Sequence, residues 1–241
     1  SLSGGTIVNR GSSLFVEAGG AEAGSTPLGS GAVEVRNGAV LQYRGPMGSA
    51  FDAQSSANAN AVRLRMNGTV RLDDTQGLFA GAGGQGRWAD GTGITLDGGT
   101  FGYSGLAAFN SYEKVGAITL GLGAGTINIS RGAAGTAVLE VDSITRGTQR
   151  GSLMVTTAAA GTLTAASAFD RLRVTTAITN AGSTTNGAGA TSGIAPVWMV
   201  DATNNTFLSY QGTTLGLQSL LASAPGAGQV AYSHTGTGIA S

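Results

Sequence analysis

Leu28–Gly45 reads LGSGAVEVRNGAVLQYRG. Two short apolar stretches, Val33-Glu-Val35 and Ala39-Val40-Leu41, flank Asn37-Gly38. Asn-Gly supplies positive φ without the usual steric penalty, so it makes either a hairpin turn or a corner after which the chain runs on in a new direction. The same unit recurs along the chain. Val62-Arg-Leu64-Arg-Met66 precedes Val70-Arg-Leu72, Ile94-Thr-Leu96 precedes Phe101-Gly-Tyr103, and Ile118-Thr-Leu120 precedes Ile127-Asn-Ile129. Val138–Val141 leads to Leu153-Met-Val155, and Leu172-Arg-Val174 leads to Ile178. Each pair alternates with period two, which turns one side inward.

These pairs recur every 20 to 34 residues or so, the spacing of solenoids. Small residues at the corners let one turn stack closely on the next, and Val, Ile and Leu fill the interior. The expected fold is all-β: a β-solenoid, or parallel β-helix, with glycine-rich corners and loops. Val33, Val35, Leu64, Leu72, Ile94, Leu96, Ile118, Leu120, Ile127 and Ile129 are its expected core. Residues 1–193 read as the solenoid repeats. Residues 194–241 read as an atypical terminal or capping segment of the same continuous domain, because Trp198, Phe207 and Tyr210 bring aromatics that the middle lacks. Leu215–Ala224 is the best stretch for one short helix. Gly48–Ala61 and Ala181–Gly193 read as surface loops.

Composition narrows the partners. Charged residues make up 11% of the chain, against about 25% in ordinary domains. The 13 basic and 13 acidic residues cancel, and no basic stripe is present, which argues against a nucleic-acid partner. Lys114 is the only lysine. Lysines commonly keep exposed strand edges apart, so edges here are either covered or meant to pair. With no cysteine there is no disulfide, zinc–thiolate site or thiol catalysis. No apolar run of about 18 residues offers a membrane-spanning helix. The opening SLSGGTIVNRG begins inside a repeat, with neither an initiator Met nor a leader. The expectation is therefore a mature or excised piece of something longer, with an open end that recruits another strand.

GGTIVNRGSSLFV (Gly4–Val16) and LGSGAVEVRNGAVLQ (Leu28–Gln42) resemble the autotransporter-associated β-strand repeats of bacterial surface proteins. EKVGAITLGLGAGTINIS (Glu113–Ser130) and WMVDATNNTFLSYQ (Trp198–Gln211) resemble segments that accompany those repeats. The resemblance implies an extracellular β-helical stalk or passenger at the bacterial cell surface, and no catalytic residues.

The chemistry-bearing residues read as structural. Gly81-x-Gly83-x-x-Gly86 matches a dinucleotide fingerprint, but RWADGTG follows where a helix should open. Gly83–Gly91 half-matches a calcium nonapeptide, with Trp88 at the position that needs Asp and Asp90 two residues late. Asp73, Asp74, Asp97, Glu140 and Asp142 are the carboxylates from which a polysaccharide-cleaving pair would be drawn. Asp73 and Asp74 point to opposite faces of a strand, whereas Glu140 and Asp142 share one. All five read as solvated outer positions, and Trp88 and Trp198 lie too far apart in sequence to form a sugar platform. His234, the sole histidine, sits in a Gly/Thr tail without a nucleophile turn. Arg63, Arg65 and Arg71 read as an outward row, with Asp73 on the same alternation, pairing with neighbouring coils. Asn67, Asn128 and Asn204 begin glycosylation-type triplets that carry no meaning in a bacterial protein.

The expected function is structural: a segment of a bacterial surface fibre, stalk, sheath or adhesin that self-associates end to end. It has no catalytic, cofactor-binding or metal residues and is not an enzyme. A surface glycan or protein is the ligand class for the adhesin variant. The alternatives are a lyase or glycosidase on a β-helix and a phage tail-fibre shaft.

Overall fold

A computed structural model describes residues 4–17, 28, 31–45, 61–77, 86–88, 90–159, 163, 170–176, 178 and 193–220. The chain winds as a β-solenoid. The first three coils carry β1 (Thr6–Val8) with β2 (Ser13–Glu17), β3 (Val33–Arg36) with β4 (Val40–Arg44), and β5 (Val62–Arg65) with β6 (Thr69–Asp73). From the fourth coil a third strand is added: β7 (Ile94–Asp97), β8 (Thr100–Ser104) and β9 (Asn110–Val115). The next two coils repeat this with β10 (Ile118–Leu120), β11 (Ala124–Ser130) and β12 (Thr136–Val141), then β13 (Ile144–Arg146), β14 (Ser152–Thr157) and β15 (Asp170–Val174). A closing segment follows: β16 (Gly193–Ile194), β17 (Met199–Asp201), β18 (Thr206–Tyr210), α1 (Gly212–Leu215) and β19 (Leu217–Ser219).

Face one stacks β1, β3, β5, β7, β10 and β13 in order, and face two stacks β2, β4, β6, β8, β11, β14 and β17. Face three stacks β9, β12 and β15. Pairing within these stacks is parallel and in register. On face one Val8, Val35, Leu64, Leu96 and Leu120 lie above one another. On face two Leu14, Leu41, Val70, Phe101, Ile127 and Val155 do the same. All ten expected core residues are buried. Identical positions of successive coils thus bury like against like, and the interior becomes one continuous apolar column.

The corners explain the glycines. Asn37 and Gly38 both take positive φ, at 55° and 70°. They form a corner between two parallel stacks rather than a hairpin. The corner repeats down the molecule with Arg10-Gly11, Met66-Asn67, Gly98, Gly123 and Arg150. At Asn67-Gly68 the left-handed residues are therefore Met66 and Asn67. Gly68 serves close approach instead, since a Cβ there would fall on the Val35 carbonyl of the coil below. Gly68→Ala is expected to cost about 1–3 kcal/mol through overpacking. Gly4→Ala, which meets nothing within 4 Å, should stay within about 0.5 kcal/mol of the parent. Equilibrium urea unfolding of the two variants checks this, and equal midpoints would contradict the stacking.

The closing segment departs from the parallel rule. β17 pairs antiparallel with β18, β18 with β19, and β19 with β15. The meander therefore carries face two round into face three and joins their edges at this end of the stack. Over the described part of the expected helix Leu215–Ala224, residues 215–220, no helix continues beyond Leu215. One helical turn, α1, ends at Leu215, and β19 occupies Leu217–Ser219. Gly216, at φ 74°, ends the turn, and a Cβ at this position would strike the Leu172 carbonyl. Residues 221–224 lie outside the described residues, as do 48–60 and 181–192 of the two expected loops.

Candidate functional site

The solvated outer positions expected for the acids hold for Asp73 and Asp142 and fail for Asp74, Asp97 and Glu140, which are buried. Three further carboxylates, Glu113, Asp170 and Asp201, are buried as well. A dry carboxylate is costly unless hydrogen-bonded or paired. Each of these six has such a partner, and the partner usually belongs to another coil.

The densest cluster lies where the first three coils meet the fourth. Asp74 follows directly on β6 and turns inward, opposite to Asp73. Its carboxylate accepts from Arg87 Nε and, at 3.0 Å, from the Tyr103 hydroxyl on β8. Arg87 also donates to the carbonyls of Gly45 and Gly77, both at 3.3 Å. Glu113 occupies an inward position of β9, in register with Leu139 of β12, and is fully buried. Its two oxygens accept the backbone N–H groups of Arg87 and Trp88 at 2.6 and 2.9 Å. Gly86 makes room for it, because a Cβ at this position would overlap the carboxylate. Trp88 stacks on Phe101 of β8 (5.6 Å between centroids) and meets Tyr43 of β4 edge-on (5.5 Å). Residues 86–88 therefore tie together three successive coils. Burial pushes the Asp74 and Glu113 carboxyls above their ordinary range, against the nearby Arg87 charge, and pushes the Tyr43 phenol up to about 12.

Asp97 makes a second clamp at the corner of face one. It pairs with Arg63 of the preceding coil and accepts the Leu122 N–H of the next at 3.1 Å. Arg65 bridges Asp97 (4.0 Å) and Glu34 (3.3 Å). Arg63 and Arg65 thus form the expected ladder between coils. Arg71 does not belong to their row: it lies on face two, in register with Gln42. Asp73 accepts from Gln42 (2.6 Å) and Thr75 instead. On face three Glu140 pairs with Arg173 (2.9 Å) and Asp142 with Lys114 (3.8 Å). Asp90 stands near both acids, and its carboxyl is raised chiefly by burial. Asp170 accepts the Arg131 N–H of the coil before it at 2.7 Å. Asp201 gathers the N–H groups of Thr203 and Asn204 and the Ser219 hydroxyl, which locks β17 to β19.

The other candidates separate. Trp88 does meet one carboxylate, Glu113, through its backbone N–H, but its ring is core between two others, not an open platform. Trp198 lies in the closing segment under the Arg146 guanidinium, 5.7 Å from its ring. Asn128 donates to Thr156 and Asn204 to Asp201. Gly81, Gly83 and His234 lie outside the described residues. Among the described residues no group of three or more acids or histidines is placed to hold a metal. A chelator is accordingly expected to leave the melting temperature unchanged. A fall of more than a few degrees in a calorimetric scan would place a calcium ion among Asp73, Asp90, Asp97 and Asp142.

Sequence reasoning missed Glu113, Asp170 and Asp201 because it assigned polar residues to the outer side. The signal was local: SYEKV alternates, with Val115 on the same parity as Glu113 and Ser111. No helix among the described residues is long and apolar enough to cross a membrane. No protein-family model matches the chain, and no curated protein or solved structure matches it.

Proposed function

We propose that this chain is a structural β-solenoid segment of a bacterial surface fibre, stalk, sheath or adhesin, working outside the cell and associating end to end. The observation that carries this reading is the use made of the ionisable side chains. Asp74, Glu113, Asp97, Glu140 and Asp170 all bind across coils, so the charge of the molecule serves axial cohesion. A load along the axis is then shared by backbone ladders, apolar columns and these clamps.

The two ends support self-association. Among the described residues β1 and β2 pair on one side only, with β3 and β4. Ile7 and Phe15 on them are 59% and 44% exposed. Face two and face three are joined at the other end by β17–β19. An unguarded edge recruits a strand, supplied by an identical copy or by further repeats of a longer polypeptide. The resemblance of Gly4–Val16 and Leu28–Gln42 to autotransporter-associated repeats points to the same surface setting. In the adhesin form the ligand is a surface glycan or protein.

Light scattering and negative-stain microscopy at micromolar concentration test the reading. Elongated particles, multiples of one solenoid in length, are expected. A monomer insensitive to dilution, with β1 and β2 amides already protected, would overturn it.

A further inference from the structure

Asn-Gly occurs twice among the described residues, at Asn37-Gly38 and Asn67-Gly68, and a third pair, Asn186-Gly187, lies outside them. This dipeptide carries a chemistry of its own. The glycine nitrogen loses its proton and attacks the asparagine Cγ. A C–N bond forms and closes a succinimide ring, the Cγ–Nδ2 bond breaks, and Nδ2 leaves with the proton as ammonia. Water then opens the ring at either carbonyl and yields aspartate or isoaspartate. Glycine favours the attack because it has no Cβ to hinder it.

The two corners differ in the room they leave for the ring. Asn37 and Gly38 are both exposed and are themselves the left-handed residues of their corner, at φ 55° and 70°. A Cβ on Gly38 would meet nothing within 4 Å, so its peptide has space to turn toward Cγ. One inter-coil bond restrains it, from the Gly38 N–H to the Met66 carbonyl at 3.1 Å. The next corner is made one residue earlier, by Met66 and Asn67. Gly68 is therefore already buried in the stack. Its N–H donates to the Arg65 carbonyl at 2.8 Å, and its own carbonyl accepts the Thr100 N–H at 2.9 Å. With the Val35 carbonyl where a Cβ would stand, this peptide cannot turn without lifting one coil off another.

We propose that Asn37 is a site of spontaneous deamidation in the folded protein, and that the solenoid protects Asn67 from the same reaction. The consequence falls on the corner of the first coil. The Asn37 carboxamide donates to Asn9 Oδ1 at 2.6 Å. A carboxylate in its place has no proton to give. Asn9 Oδ1, which already accepts the Arg10 N–H, then faces a second acceptor. Isoaspartate also reroutes the backbone through Cβ and displaces the carbonyl that accepts the Gly11 N–H at 3.0 Å. Either product loosens β1 and β2 from the second coil.

The full chain is incubated folded at mildly alkaline pH and, in parallel, unfolded in urea, and the peptides that carry each asparagine are followed by mass spectrometry. In the folded chain Asn37 should convert at least about tenfold faster than Asn67, a difference in barrier of about 1.4 kcal/mol. In urea the two rates should converge, because the dipeptide is the same and only the fold distinguishes them. Equal rates in the folded chain, a faster Asn67, or the same ratio in urea would each overturn the assignment. Asn37→Asp, one of the two products, reads the consequence separately. Hydrogen exchange of the β1 and β2 amides should quicken in this variant while that of β10 and β11 stays as in the parent, since stability differs from one part of a structure to another. Unchanged exchange in β1 and β2 would overturn the loosening.

Discussion

Arg87→Ala is expected to lower the unfolding free energy by about 3–5 kcal/mol, the cost of stranding a buried charge by removing its partner. The size follows from the surroundings. The Arg87 side chain is 3% exposed and that of Asp74 1%, so no water takes over when the guanidinium leaves. Asp74 would keep only the Tyr103 hydroxyl, and the carbonyls of Gly45 and Gly77 would lose their donor. The backbone N–H contacts from residue 87 to Glu113 do not depend on the side chain. The variant should therefore weaken the junction without abolishing the coils on either side. Adding Asp74→Asn to Arg87→Ala removes the stranded charge and should recover part of the loss, a non-additivity that contact pairs show. Urea unfolding of both single variants and the double variant measures it. A loss below about 1 kcal/mol for Arg87→Ala would mean that the site is wet and the ion pair superficial.

Leu96→Asp should be worse still. Leu96 lies fully buried in the face-one column, between Leu64 and Leu120. Truncation alone at such a site costs about 2–5 kcal/mol, and a carboxylate without a partner adds to that. Against a total stability of about 5–15 kcal/mol, most molecules would be unfolded or would pack the fourth coil wrongly. The control is Thr119→Asp, on the outward side of the same face, with Thr95 and Thr145 as register neighbours. It should change stability by no more than about 0.5 kcal/mol. Thermal melts decide between the two. If Leu96→Asp melts like the parent, the inner side of face one has been assigned to the wrong residues.

Faces one and two were legible because their inward positions are apolar at strict period two, as in Val33-Glu-Val35 and Ile94-Thr-Leu96. The corners were legible as glycine chemistry. Whether Asn37-Gly38 reversed the chain or turned it was not, because both outcomes use the same φ values. Of face three, Val138–Val141 and Leu172–Val174 were legible as strands, but not that they stack on β9 as a third face. β9 places Ser111 and Glu113 inward beside Val115 and leaves Tyr112 outward with Lys114, so its inner side does not read as apolar. What stabilises Glu113 there is a pair of N–H groups from residues 87 and 88, a contact that no local pattern encodes. The arginines show the same limit. Arg63, Arg65 and Arg71 share an alternation in sequence, yet the Met66-Asn67 corner sends Arg71 to another face. The closing segment was marked by its aromatics, but not its antiparallel meander, which depends on Gly216 and on the Asp201 contacts.

Central here is the proposal that β1 and β2 form an adhesive edge of a structural solenoid, whereas at the opposite end β17–β19 join faces two and three and, among the described residues, β13 pairs only with β10. Hydrogen exchange of the intact chain at two protein concentrations, dilute and high-micromolar, tests it most directly. Protection of amides in Thr6–Val8 and Ser13–Glu17 should rise with concentration, while protection in Met199–Asp201 and Thr206–Tyr210 should stay constant. Protection of β1 and β2 that is the same at both concentrations would contradict the claim.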